Sequence, residues 1–208
     1  MPTFNATTLL EDLSNDVNNL LQVMRTRIQQ QPHAVLLQQP APGSWSVIQC
    51  LDHLNSYGHH YLPQLHKVIS KGEQQGIPAK PLFRSGWLGN YFTNLMQPKP
   101  DGALRARMQA PQGYRPEPQP DAALVISEFI SQQEQMLELL RRAGFTDIGH
   151  FRVPTTLTRL IKMSAGDTFR FLIAHEQRHM LQALRAMLAY GGGGFTAISM
   201  QYLQENVG

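Results

Sequence analysis

The chain has 208 residues, 42% of them hydrophobic, which suits one domain with a sizeable core and argues against wholesale disorder. Its 18 Lys and Arg against 15 Asp and Glu leave a net charge of +3 with no long basic run, so the concentrated stripe of a nucleic-acid binder is missing and no nucleic-acid partner is expected. A lone cysteine, Cys50, rules out an internal disulfide framework. The first residues show no leader pattern and no apolar run approaches the roughly 18 residues of a spanning helix, so a cytoplasmic protein with no membrane partner is expected.

Four segments carry helical period. Leu10, Leu13, Val17, Leu20, Met24 and Ile28 recur at steps of three and four and predict a first amphipathic helix, with Thr8 and Glu11 as its capping box. Pro32 and the stretch Pro40 to Gly43 break the pattern. A second helix is predicted from Ser44–Ser46 to Lys71–Gly72, burying Val47, Leu51, Leu54, Tyr61 and Leu65. Pro63 falls inside it and predicts a kink or split. A short helix follows from about Trp87 to Leu95. The stretch from Gln97 to Pro120 then holds six prolines (98, 100, 111, 116, 118 and 120) and reads as a long, partly extended crossover. Such a connection is what a bundle with parallel second and third helices requires.

A third helix is predicted from Asp121, a natural N-cap, to Ala143, with Gly144 ending it. Residues 145–163 read as irregular or briefly extended. A fourth helix starts at Ser164, with Asp167 completing its cap, and runs to about Tyr190. Four consecutive glycines, Gly191 to Gly194, stop it. The expectation is an all-α four-helix bundle over residues 1–190 and a Gly-rich C-terminal tail over 191–208.

The chemistry concentrates in histidines. His175 and His179 lie four apart on the predicted fourth helix, so their imidazoles share a face and can both reach one ion. Two solvated histidines on a polar face would look the same. The helix around them is largely apolar, however, with Phe169, Phe171, Leu172, Ile173, Met180 and Leu181, and buried imidazoles need partners. His53 sits in a similar apolar setting on the second helix, between Leu51 and Leu54. Sites drawn from facing helices are how bundles hold metals. The candidate ligands are therefore His53, His175 and His179. Three neutral imidazoles leave a divalent ion its full charge and an open position, the arrangement of a catalytic site.

As text, His175-Glu176-Gln177-Arg178-His179 is also the H-E-x-x-H signature of zinc peptidases. No histidine follows His179, and the only later acid is Glu205, so the third ligand such enzymes take downstream is not in evidence. Glu176 points about 100° around the helix from its neighbour and reads as a structural or intermolecular pairing group, with a general base or a supporting place behind the ligands as the other options. Gln182, three past His179, is placed to orient that imidazole or to be solvated. Trp45 reads as a hydrophobic plug at the entrance of the second helix, Cys50 as a small core residue, and His60 as a surface residue.

Trp45-Ser46 followed by Cys50-Leu51-Asp52-His53-Leu54, together with Ala174 to Gln182 in the pattern H-x-x-x-H-x-x-Q, resembles the DinB-like (YfiT-like) metalloenzyme family. The order agrees as well: one histidine early, a long crossover, then the pair. The resemblance covers the layout of most of the chain and about 25 residues of motif. It implies an up-down-down-up four-helix bundle and a homodimer. It implies a divalent transition metal, often nickel or zinc, at His53, His175 and His179. It also implies a small-molecule substrate, since characterised relatives include transferases using low-molecular-weight thiols, hydrolases and isomerases. The proline-rich crossover and the glycine tail depart from the family pattern. The functional expectation is a metal-dependent S-transferase or hydrolase. The alternative is a non-catalytic metal-binding or dimerisation module, distinguished by whether the metal faces an open cavity.

Overall fold

The computed structural model describes residues 1–104 and 108–190; the expected Gly-rich tail, 191–208, lies outside the described residues. The first helix, α1 (Ala6–Val23), starts earlier than the apolar stripe alone suggests. Its N-cap is Asn5, whose side chain accepts the Thr8 N–H, so Thr8 is inside the helix and is not its cap. The stripe continues into one wide turn, Met24–Ile28, where the bonding pattern loosens to that of a π-helix before a short helix α2 (His33–Leu36). Met24, Ile28 and Leu36 are fully buried there, so packing holds a segment that backbone geometry alone does not favour.

Helix α3 (Val47–Gln74) is capped by Ser46, whose hydroxyl accepts the Gln49 N–H while the Gln49 side chain accepts the Ser46 N–H. That reciprocal pair satisfies two otherwise orphaned donors. The expected split at Pro63 does not occur, and the helix runs straight through it in sequence. Pro63 and His59, four residues before it, are both exposed, so water can serve the carbonyl that loses its partner. Helix α4 (Trp87–Met96) follows. Helix α5 (Ala122–Ala143) begins at Asp121, which accepts the N–H groups of Ala123 and Leu124, and stops at Gly144. Helix α6 (Ala165–Tyr190) begins beside Ser164, whose hydroxyl accepts the Asp167 N–H.

The all-α expectation needs one correction. The chain is mostly helical, but two small antiparallel ribbons are present. Strands β1 (Thr3–Asn5) and β2 (Leu82–Arg84) pair with Phe4 opposite Phe83, and β3 (Arg152–Pro154) pairs with β4 (Lys162–Ser164) with Val153 opposite Met163. Three-residue strands carry too little alternation to be read from sequence, and β1 and β2 are joined by no hairpin turn. Each ribbon turns apolar side chains inward: Phe83 of the first and Val153 and Met163 of the second are buried.

Helix α3 packs against α5 and α6, α1 packs against the same two, and α4 lies on α6. The α4–α6 seam is close because Gly89 has no side chain: a Cβ there would stand 2.3 Å from Asp167 Cγ and 2.4 Å from its Cβ. Asp167 cannot yield. It accepts from the hydroxyls of Ser85 and Ser164 and from the Gly86 N–H, all from a buried position. Overpacking of this kind costs about 1–3 kcal/mol. Gly89→Ala should therefore lower the melting temperature by roughly 2–10 °C in a domain of this size, measured by circular dichroism. An unchanged melting temperature would mean that α4 is not held against α6 in this register.

Candidate metal centre

Two apolar clusters fill the interior, and each long helix passes through both. On α3, Val47 to Leu54 belong to one and Tyr57 to Ile69 to the other. On α6 the order is reversed, with Phe169 to Ile173 in the second and Met180 to Ala186 in the first. Between the clusters lies a buried polar layer: His53 and Asn55 from α3, Gln132 and Gln133 from α5, and His175 to His179 from α6. The candidate site is the part of this layer where α3 faces α6.

Here the three predicted histidines meet. His53, His175 and His179 are 2%, 2% and 8% exposed, and each offers a ring nitrogen within 4.8 Å of the others. The His53 Nδ1–H donates to the Tyr114 carbonyl at 2.5 Å. The His179 Nδ1–H donates to Gln182 Oε1 at 3.0 Å. A carbonyl can only accept, so both rings carry their proton on Nδ1 and present Nε2 as a lone pair. His53 Nε2 lies 3.2 Å from His175 Nε2. Two nitrogens bound to one tetrahedral ion at about 2.0–2.1 Å stand roughly 3.3–3.4 Å apart, so the spacing fits a shared cation. Orientation of a ligand's ring through its second nitrogen is also what metal sites require.

The rings are braced by aromatic neighbours. Trp45 packs 4.9 Å from His53 and stacks 5.7 Å from His179, centroid to centroid. Tyr57 lies 4.3 Å from His175, and Phe171 stacks parallel to it at 5.9 Å. Burial drives all three histidines below their usual pKa, His175 and His179 far below. Mutual proximity of the rings and the Arg178 charge add to the effect at His175 and His179. They are neutral at physiological pH, the form a metal needs.

A cavity of about 750 Å³ opens directly above them. His53, His175 and His179 form one wall, with Tyr57, Tyr61, Phe92, Phe171 and Met163 around them and Trp45, Arg178 and Gln182 at the same level. The described part of the crossover, Leu104 and Met108 to Pro111, closes another side. Burial pushes the pKa of the Tyr57 phenol up to about 12, with a bond to the Thr156 side chain partly offsetting this, so the hydroxyl stays protonated.

The chain matches the family model of the DinB superfamily over residues 17–183. The protein belongs to the DinB superfamily. No curated protein and no solved structure matches it. The matched span contains all three histidines and every described residue lining the cavity.

Other residues fall as follows. Glu176 is buried on the face of α6 turned to α5, where its carboxyl oxygen accepts from Gln133 at 3.1 Å, and it is not among the lining residues of the cavity. Its side chain pairs α6 with α5, and burial raises its pKa to about 7, with the Gln133 bond partly offsetting this. Gln182 does orient His179. Cys50 is a fully buried core thiol whose pKa is raised by burial. Trp45 is more than a plug, since its ring touches two of the three histidines. His60 is tied to the crossover and to the β3–β4 ribbon, through the Tyr114 hydroxyl and the Pro154 carbonyl. Sequence reasoning missed Tyr57, Phe171 and Arg178. The signal was available: Tyr57 is four past His53, Phe171 four before His175, and Arg178 three after it, all spacings that share a helix face.

Behind the histidines the polar layer reaches α1 at Asp16. Burial raises its pKa to about 6, with the Gln177 side chain partly offsetting this and Asp12 adding to it. A carboxyl whose folded pKa lies above its unfolded one favours folding fully at low pH, and that benefit is lost as pH rises through the folded value. Asp16→Asn should therefore leave stability unchanged near pH 4 and become more stable than wild type between pH 4 and 6. The advantage should hold level above that. Melting temperatures across this range check it; a constant difference at every pH would show that Asp16 ionises freely in the folded state.

Proposed function

We propose that this DinB-superfamily protein is a metal-dependent enzyme acting on a small molecule. One divalent transition ion, nickel or zinc, is held by His53, His175 and His179, and the reaction is a thiol-dependent S-transfer or a hydrolysis. The observation that carries the reading is the placement of three neutral imidazoles on the wall of a cavity large enough for a substrate. An ion bound by three neutral ligands supplies Lewis acidity near neutral pH. The chain's own residues do the rest. Tyr114 and Gln182 fix the ring orientations, Trp45 and Phe171 hold the imidazoles by contact, and the Tyr57 hydroxyl offers a proton-bearing donor to whatever occupies the cavity. The aromatic and apolar lining excludes water from the reacting groups.

The four long helices are proposed to form an up-down-down-up bundle, which the opposite order of the two core clusters along α1 and α6 against α3 and α5 supports. A homodimer is proposed from the family resemblance. A cytoplasmic location is proposed with it; the single thiol, Cys50, is buried and unpaired with another cysteine, and no described helix is long and apolar enough to cross a membrane.

The module alternative needs a closed site, and the cavity above the histidines favours the enzyme. The peptidase alternative needs Glu176 at the reacting water, and Glu176 is bonded to Gln133 on the face turned to α5. Purified protein should bind about one zinc or nickel ion per chain. His53→Ala should weaken that binding by at least about tenfold, although it leaves the His175/His179 pair intact. Glu176→Gln should keep full stoichiometry, because an amide can replace a carboxyl beside Gln133. Metal analysis after equilibrium dialysis checks both, and undiminished metal in His53→Ala would remove α3 from the site. Activity in a screen of thiols with electrophiles and of hydrolysable esters and amides should vanish with chelator and return with metal; activity indifferent to metal would defeat the enzyme reading.

A further inference from the structure

His53 owes its orientation to a main-chain atom, the Tyr114 carbonyl, which no side-chain substitution removes. The bond can hold the ring only as firmly as that carbonyl is itself held. No residue from 111 to 120 is buried, and the regular structure there is one 3-10 turn, Gln112–Tyr114. Packing alone does not fix a stretch of this kind. Its place comes from hydrogen bonds made by a single face of α3.

Gln49, Asp52, His53 and His60 grip the crossover, and the helical repeat places them within about 100° of one another. Tyr114 is pinned at both ends. Its carbonyl accepts from His53 at 2.5 Å. Its hydroxyl donates to His60 Nδ1 at 3.2 Å, because the His60 Nε2–H is given to the Pro154 carbonyl. Further along, the Glu117 N–H donates to Asp52 Oδ2 at 2.8 Å. The Gln49 amide donates to the Glu117 and Pro118 carbonyls at 3.3 and 3.2 Å. Glu117 stands between Pro116 and Pro118. Proline has no N–H, so across these residues the Glu117 N–H is the one main-chain donor, and Asp52 takes it. Asp52 directly precedes His53 on α3. It fixes the far end of the segment whose near end orients that ring.

We infer that Asp52 is a positioning residue for the metal centre: its carboxylate anchors Glu117, and through the Tyr114 carbonyl it keeps the His53 proton on Nδ1 and Nε2 turned toward the other two histidines. Asp52 does this as a hydrogen-bond acceptor in a fixed place, and its charge is not required. The inference deepens the metal reading and rests on it for what the anchor serves, but the tautomer of His53 is a property of the chain without any ion. Loss of a group that orients a ligand costs about 10–100-fold in metal affinity, and a residue acting one bond further back belongs at the lower end of that range.

Two substitutions separate place from charge. Asp52→Asn keeps an acceptor oxygen and removes the charge, while Asp52→Ala removes both. Asp52 is only half-buried and alanine suits a helix interior, so neither threatens the fold. The His53 tautomer is read at pH 8 on the metal-free full chain by long-range proton–nitrogen correlation NMR, the ring being assigned by its loss in His53→Gln. Zinc affinity is read by competition with a chromophoric chelator. Wild type and Asp52→Asn should both show His53 protonated on Nδ1 and bind zinc within about twofold of each other. Asp52→Ala should show a mixture of tautomers and bind zinc about tenfold more weakly. An unchanged tautomer or an unchanged zinc affinity in Asp52→Ala would each overturn the proposal. So would an Asp52→Asn protein as weak as Asp52→Ala, since Asp52 would then act by charge. If wild type takes up no zinc, the metal reading fails and the tautomer decides alone: a mixture in Asp52→Ala with Nδ1–H kept in Asp52→Asn upholds the anchor, and any other pattern overturns it.

Discussion

Three imidazoles sharing one buried point is the constraint around which this molecule is organised. A neutral ring withdrawn from water must find partners for both nitrogens, and three rings brought together cannot all satisfy one another. Two of them settle one nitrogen on Tyr114 and Gln182 and turn the other inward. His53 and His175 then face each other nitrogen to nitrogen at 3.2 Å. An arrangement of this kind is tolerated where something electron-poor can sit among the lone pairs, and a divalent cation is the ordinary solution.

The same constraint explains the layering of the core. Apolar side chains above and below isolate a polar sheet of residues that crosses α1, α3, α5 and α6, and each member has an assigned direction. On α6 the residues from His175 to Gln182 divide by face. His175, Arg178, His179 and Gln182 look into the cavity, while Glu176 bonds to Gln133 of α5 and Gln177 reaches Asp16 of α1. A helix that is polar on two sides at this level, between the apolar runs Phe171 to Ile173 and Met180 to Leu184, resists sliding against its neighbours. The polar layer therefore fixes the height of α6 against its neighbours, and with it the height of the histidines relative to His53. The proline-rich crossover completes the site from outside: Tyr114 orients His53, and Glu117 and Pro118 supply carbonyls to Gln49.

Much of this was legible in the sequence because it rests on helical period. The helix start near Ser46, the caps Asp121 and Ser164, the stop at Gly144 and the grouping of the three histidines all follow from spacing and residue type, and the grouping needed only one further step, the placing of two helices face to face. What escaped was of two kinds. The ribbons formed by β1 with β2 and β3 with β4 are three-residue pairings whose register depends on docking of the helices they precede, so no local pattern announces them. The continuity of α3 through Pro63 depends on which side of the helix the proline occupies, a tertiary fact.

The central claim is that His53, His175 and His179 bind one ion together and leave part of its coordination open to the cavity. X-ray absorption at the metal K-edge of zinc- or nickel-loaded protein addresses it directly, because imidazole rings give a characteristic outer-shell scattering that carboxylates and water do not. The account predicts three imidazole nitrogens at about 2.0–2.1 Å for zinc, completed by one or more light ligands from solvent. A spectrum with two imidazoles or fewer, or with sulfur from Cys50 in the inner shell, would contradict it.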